Sequence, residues 1–481
     1  LGSVACASGE ASPAGGGDLG TNDAAMDAGA GGSCSPPCFA WARLIQGPSE
    51  EDEVDAVASD AAGNAYISGK FQESLVIEGA PEPLVSRGRA DVMLAKFSPA
   101  GDLVWVRHYG GISEDNVFDA ACDAEGNVVL SGYFGGTVDF GGVTLRTSGP
   151  TDLDMMLLKV SPDGDMLWAR SVGGVGSDGG NEVNVAPDGT IVAILDSDGP
   201  VRAADETFES ESRDSYLVTF EPSDGAVRWA TRVGGAGDVR GKCLAVDARG
   251  RAYLGGDYVG ALAATDTGGR TMELPAVTRR DADAFLTAWD TDGALRWVKS
   301  WGAAGGDDLC KAAVAEDADT LTLVSQLSGP ATLDGRAVSV ARPSLLVWQL
   351  DAAGETRWAE VVTSNVSLFG AEAMTAPEGG ILFGFAGRGD VVFGARDGDA
   401  VPVMRTLTSP TTVFAGYGPD GTPRAPLLPA ESQSSNGSEL SRSGRRVYLD
   451  VPISGEGAYR FGPDLREAGP TKDALLVAID L

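Results

Sequence analysis

A glycine, three residues, then a tryptophan recurs along the chain as Gly101/Trp105, Gly164/Trp168, Gly225/Trp229, Gly293/Trp297 and Gly354/Trp358, with a worn copy at Gly421/Ala425. Trp41 stands one period upstream, and successive positions lie 61 to 68 residues apart. A fixed period of this size marks stacked repeats, each too small to bury its own apolar face. This outweighs length as a guide, because 481 residues would ordinarily divide into two or three domains, whereas repeats packed on one another make one body.

Every period holds the same elements in the same order. In the first, residues 54–59 are a short apolar run, 60–64 (Asp-Ala-Ala-Gly-Asn) a turn, and 65–71 a strand rich in β-formers. A longer polar connection leads to a third strand at 91–97. Residues 98–101 (Ser-Pro-Ala-Gly) then turn the chain into a fourth strand at 103–109, which Gly110-Gly111 ends. Nothing has the 3.6-residue period of an amphipathic helix. The expected fold is all-β, a seven-bladed β-propeller of four-stranded antiparallel blades. Residues 39–45 read as a fourth strand with no partners before it, and 473–481 as a third strand with none after it. Pairing the N-terminal strand with the C-terminal strands is expected to close the ring and remove a sheet edge.

Trp105, Gly110, Gly111, Asp115, Asp123, Gly126, Asn127, Ser131 and Gly132, followed by Val138-Asp139-Phe140-Gly141-Gly142, form a pattern that resembles the seven-bladed β-propeller (SBBP) repeat of bacterial exported proteins. The resemblance covers residues 39–481 and fades in the last two periods, where Trp gives way to Ala425 and no Gly-Gly follows Trp358. It implies a secreted or cell-surface protein and carries over no catalytic residues. The segments 289–297 and 350–358 are also similar to the Trp-docking repeats of quinoprotein-like propellers, which include envelope-assembly lipoproteins. Asp163, five residues before Trp168, is similar to a sialidase Asp box, although Gly164 follows that Asp directly. One physical account serves all three: Asp or Ser opens a tight turn, Gly takes the positive φ, and Trp41, Trp105, Trp168, Trp229, Trp297 and Trp358 pack between blades.

The N-terminus is read as residues 1–37, a signal-peptide remnant and flexible linker, ahead of a propeller at 38–481. Ser3-Val4-Ala5-Cys6 looks like a lipobox, which would make Cys6 a lipidated first residue and a membrane anchor; Ala5-Cys6-Ala7 equally fits an ordinary cleavage site that leaves Ser8 first. Residues 7–33 are mostly Ala, Gly, Ser and Asp, and cannot bury enough surface to offset chain entropy. Of the six cysteines, Cys34 and Cys38 could close a small ring, Cys243 and Cys310 could bridge neighbouring repeats, and Cys122 reads as a buried apolar residue.

Acidic residues outnumber basic ones 69 to 36, a net charge of -33 that excludes nucleic acid as a partner. No run of eighteen apolar residues occurs that could cross a bilayer as a helix. The loops after the Trp strands carry Asp52, Asp115, Asp178, Asp238 and Asp307. On one face these would make an acidic collar for Ca²⁺ or a basic partner; the plainer reading is that they start the next blade and keep the surface solvated. His108 is the one histidine, which excludes multi-histidine metal sites, and an exposed strand position is its plainer reading. No nucleophile motif, phosphate loop or metal-ligand cluster stands out, so no catalytic residue, cofactor or metal site is assigned. The expected function is that of an exported cell-surface binding or scaffold protein, monomeric, holding a protein or glycan ligand on its loop face, without catalysis. The alternatives are a carbohydrate-acting enzyme of glycosidase or lyase type, built on a carboxylate cluster in the central channel, and a quinoprotein-like envelope-assembly lipoprotein.

Overall fold

The turn before each Trp strand sets the local geometry. In Ser161-Pro162-Asp163-Gly164, Gly164 N donates to Ser161 O at 2.9 Å and Ser161 N to Asp165 O at 2.9 Å. Gly164 sits at φ 84°, where a side chain would be strained. The second kind of turn is held by its aspartate: Asp60 Oδ1 accepts Asn64 N at 2.8 Å, and Asp123 Oδ1 accepts Asn127 N at 2.8 Å. The computed structural model describes residues 38–481 apart from 50–51, 150, 205, 211, 278–281, 303–308, 316, 318, 339, 341–343, 395–406, 431–439, 455–456, 462–463 and 469–471. Cys6, Cys34 and Asp307 lie outside the described residues.

The fold is all-β and propeller-type in broad outline. Each repeat folds as an antiparallel run of four strands. The first unit comprises Glu53–Ser59, Ala65–Ile77, Leu84–Phe97 and Leu103–Tyr109. The second comprises Asn116–Cys122, Val128–Gly135, Leu153–Val160 and Met166–Gly174. The third comprises Asp178–Val185, Ile191–Ser197, Asp214–Phe220 and Val227–Gly235. Third strands are the most enclosed, with every residue of Asp214–Phe220 buried. The N-terminal strand Cys38–Gln46 pairs antiparallel with the C-terminal Lys472–Asp480, Ala42 opposite Val477 and Leu44 opposite Leu475.

Seven uniform, closed, four-stranded blades are nonetheless not what this sequence builds. The sheets carry from two to eight strands. The terminal sheet runs on into the first unit to make eight strands, through Ile45 opposite Ile77. The connection between second and third strands, read above as a polar loop, forms a hairpin that adds to the fourth strand of the preceding unit. Val201–Ala203 pairs with Met166–Gly174, and Gly260–Thr265 with Val227–Gly235, each making a six-stranded sheet. Val391–Phe393 likewise extends Thr356–Ser364. In the two six-stranded sheets the physical reason lies in the Gly-Gly pairs, which let a backbone approach where a side chain could not: a Cβ on Gly174 would lie 1.9 Å from Pro200 O, and one on Gly235 1.7 Å from Ala261 O. The added strands cover what would otherwise be exposed edges.

Units are joined by their tryptophans. The indole Nε1 of Trp41, Trp105, Trp168, Trp229, Trp297 and Trp358 donates to a backbone carbonyl in the turn one repeat downstream, at Pro99, Pro162, Pro222, Thr291, Ala352 and Pro419, over 2.9 to 3.2 Å. The turn glycine lies under the ring: a Cβ on Gly225 would fall 2.7 Å from Trp168, and one on Gly101 2.7 Å from Trp41. Tyrosine hydroxyls of second strands do similar work, Tyr66 donating to Gly126 O and Tyr448 to Gly63 O, so the C-terminal sheet is held to the first unit. Cys243 and Cys310 form a disulfide between the first strands of the fourth and fifth units, Cα to Cα 6.1 Å. Cys122 is free, and burial pushes its thiol pKa up.

Trp168 is 5% exposed and Leu167, its neighbour on the same strand, 49%. Trp168→Ala should therefore cost about 3–5 kcal/mol of unfolding free energy, and Leu167→Ala less than about 0.5 kcal/mol. Denaturant titration of both variants checks this, and equal losses would contradict the latch.

Candidate functional site

First strands of successive units lie against one another in turn: Glu53–Ser59 on Asn116–Cys122, that strand on Asp178–Val185, and that one on Val239–Val246. The contacts continue through Leu309–Ala315 and Ser367–Thr375 to Leu440–Ser443, which returns to Glu53–Ser59. These strands surround a common axis. Six of them break register at the same depth: between Val54 and Ala56, Val117 and Asp119, Gly180 and Val183, Gly241 and Cys243, Cys310 and Ala312, and Phe369 and Glu372. A bulge re-aims the side chains beside it. Residues at or next to the break include Asp55, Phe118, Asp119, Asn181, Glu182, Lys242 and Glu372.

Asp119 Oδ2 accepts Val183 N at 2.7 Å and Oδ1 accepts Ala120 N at 2.7 Å, so the carboxylate stands beside the backbone of the next unit's Glu182. Both acids are half-buried. Burial pushes the Asp119 pKa up to about 7, against the pull of those two N–H donors. Glu182 is raised well above the ordinary range by burial and then by the charges of Asp119 and Glu372, with Lys242 opposing. Asp196 takes Gly241 N at 3.0 Å and Asn181 Nδ2 at 2.8 Å, and burial raises it to about 6. Near these acids an aromatic pair is in contact, Phe118 with Tyr133 at 5.5 Å between ring centroids. Phe118 is 38% exposed, and Tyr133 donates to Glu114 Oε1 at 2.8 Å.

The residues singled out in the sequence are placed elsewhere. Asp52, Asp115 and Asp178 are buried and turn inward onto their own loops. Asp52 accepts Gln72 N at 2.8 Å; Asp115 accepts Gly111 N at 2.9 Å and Gly135 N at 3.1 Å; Asp178 accepts Gly174 N at 2.6 Å. Asp238 is exposed and faces Arg240 at 3.4 Å. They do not meet as a collar. His108, expected at the surface, is only 15% exposed and pairs with Asp91 at 2.5 Å. The axial acids were missed because 54–59 and its counterparts read as apolar strands. Their signal was a charge in the middle of such a strand, as at Asp55, Glu182, Lys242 and Glu372.

No protein-family model matches the chain. It is similar to the regulatory protein FlaEY of Caulobacter vibrioides, 28% identical over 182 residues, which make up 34% of this chain and 18% of that protein's length. BamB from Moraxella catarrhalis aligns over 91% of this chain and 100% of its own, at 13% identity and a TM-score of 0.42. A Hadza microbial sialidase, Hz136, aligns over 92% and 93%, at 12% identity and a TM-score of 0.37. At these levels the likenesses speak to fold alone.

A binding or scaffold protein without catalysis is the expectation that gives way here. It rested on the sequence offering no convergent carboxylates, and the axial strands supply them.

A carboxyl whose folded pKa lies above its unfolded value near 4 stabilises the fold fully below that value and loses the effect as pH rises through the folded pKa. For Asp119 the window closes at about 7. The thermal midpoint should fall as pH rises across this window, and Asp119→Asn should flatten the slope. Melting curves recorded at a series of pH values test it; an unchanged slope in the variant would refute the assignment.

Proposed function

We propose that the protein is a carbohydrate-acting enzyme that cleaves a glycosidic bond with carboxylates of the axial site. The observation that carries this is a pair of acids on adjoining strands in unlike settings. Burial raises both acids, but two backbone N–H groups pull Asp119 back towards its ionised form, while the charges of Asp119 and Glu372 push Glu182 up further. Environments that separate the protonation of two carboxyls are what glycoside hydrolysis uses. Glu182 is the general acid that protonates the leaving oxygen, and Asp119 the carboxylate that acts on the opposite side as base or nucleophile. The exposed face of Phe118 beside Tyr133 is an apolar platform for a sugar ring, whose C–H faces pack on aromatics while its hydroxyls reach acids and amides. Lys242 supplies a donor at the same depth, while Asn181 spends both amide hydrogens on Asp196 and Gly241 O.

The lipobox-like Ser3-Val4-Ala5-Cys6 and the SBBP-like repeats support an exported protein, anchored through Cys6 or released, which fits a polymeric glycan met outside the cell.

A panel of aryl glycosides and polysaccharides incubated with the protein should reveal turnover of at least one. Glu182→Gln and Asp119→Asn should each lower kcat by roughly 10²–10⁴-fold with circular dichroism unchanged. Absence of turnover across the panel, or full activity in both variants, would remove the proposal.

A further inference from the structure

The first three units bury a carboxylate at one equivalent place and neutralise it differently. Asp91, Asp154 and Asp214 lie near the start of the third strands, beneath the first glycine of each Gly-Gly pair. A Cβ on Gly110 would lie 2.2 Å from Asp91, one on Gly173 2.9 Å from Asp154, and one on Gly234 2.2 Å from Asp214. In the third unit Asp214 Oδ2 receives Arg232 Nε at 2.6 Å and Ser210 Oγ at 2.5 Å, and Oδ1 receives Gly235 N at 3.1 Å. In the first, Asp91 Oδ2 meets His108 Nε2 at 2.5 Å and Arg87 N at 2.7 Å. The two partner side chains hold the same register position, His108 opposite Met93 and Arg232 opposite Tyr216, in each case two residues after the aspartate.

In the second unit that position, opposite Met156, is Ser171, which brings no charge. The same unit adds a second buried acid. Asp178 is 1% exposed and Asp154 5%. Its counterpart in the first unit, Asp115, has both oxygens on backbone N–H groups, and in the third unit the place is taken by Val239, four residues after Gly235. Asp178 Oδ2 and Asp154 Oδ1 lie 2.7 and 2.9 Å from the point that a Gly173 Cβ would occupy, so the carboxylates converge on one spot. Asp154 Oδ1 is buried with no hydrogen-bond partner, while Asp178 carries Gly174 N on Oδ2 at 2.6 Å and has the Ser197 side chain beside it. Asp152 acts on both acids and Asp198 on Asp178, and Arg213 beside them is bound to Asp198 at 2.6 Å. Burial together with this crowding pushes Asp154 up to about 7. A buried pair of this kind needs either a countercharge or a shared proton.

We propose that a hard divalent cation, Ca²⁺, binds between Asp154 and Asp178 and takes the place beside the carboxylate that His108 and Arg232 hold in the neighbouring units. Among the described residues no three His, Cys, Asp or Glu side chains form a ready-made cage. The two carboxylates are therefore the charged share of the site, and backbone carbonyls and water complete an oxygen set of the kind that Ca²⁺ takes. The ion would tie the third strand of the second unit to the first strand of the third.

The test uses the full chain stripped with EGTA, then titrated with CaCl₂ by calorimetry and followed by thermal melting. Calcium should bind and raise the midpoint, with Asp178→Asn weakening binding at least about tenfold, the loss of a charged ligand being worth 1.4 kcal/mol or more. Ser171→Arg, which places a guanidinium where Arg232 stands, should abolish the calcium response while melting at or above the midpoint of the stripped wild type. Melting that ignores calcium but depends on pH would mean that a shared proton serves instead, and would overturn the proposal. A calcium response that survives in both Asp178→Asn and Ser171→Arg would overturn it as well, by placing the ion elsewhere.

Discussion

The indole N–H bond from each Trp strand to the next unit's turn governs the architecture. It couples two things that repeats could have kept separate: the conformation of a four-residue turn and the packing of one sheet on the next. The carbonyl that accepts the bond belongs to the turn's second residue, a position where proline fits in four of six instances, and the glycine two residues later, or three in the turn at Pro222, clears space for the ring. Arg43 and Arg107 add a second tie, each donating from Nε to the carbonyl of that same glycine while lying over its own strand's indole. A buried indole that found no acceptor would cost more than the bond itself contributes, which ties the choice of Trp to the presence of the turn.

Much of this was legible because its signals are local and repeated. Turn glycines at positive φ, the Asx turns at Asp60 and Asp123, and alternating β-formers between them can all be read a few residues at a time. What could not be read depends on contacts across repeats. The Gly-Gly pairs looked like strand terminators. Their function is to admit the backbone at Pro200 and Ala261 on one side and the carboxylates of Asp91, Asp154 and Asp214 on the other, and neither neighbour is close in sequence. The same limit hid the supplementary hairpins: residues 201–208 and 260–277 are polar and unremarkable as strands until a preceding unit offers them an edge. It also hid the fate of Asp52, Asp115 and Asp178, which face their own backbone when composition alone would put them in solvent.

The axial site shows how a functional surface emerges from a structural irregularity. A regular first strand would alternate its side chains between the two neighbouring sheets and bury them all. One extra residue, inserted at the same depth in successive units, frees a side chain from that alternation and turns it toward the axis. The repeat supplies the position; each unit fills it differently, with Asp55, Phe118, Glu182 or Lys242. Similar scaffolding with unlike residues at one level is what a chemically asymmetric site requires, and it reconciles a periodic sequence with a carboxylate pair whose members differ in proton affinity.

The disulfide between Cys243 and Cys310 bears on the chain as a polymer. It joins residues 67 apart, one full repeat, so it closes a covalent loop around an entire structural unit. In chain-entropy terms a loop of that length removes about 4 kcal/mol of freedom from the unfolded ensemble. Because the bond links two axial strands, a backbone cut anywhere in residues 244–309 would leave both fragments fastened at the axis. The fourth and fifth units therefore form a region whose neighbours stay together after the polypeptide itself is broken, while every other junction in the described structure relies on hydrogen bonds and packing to survive the same cut.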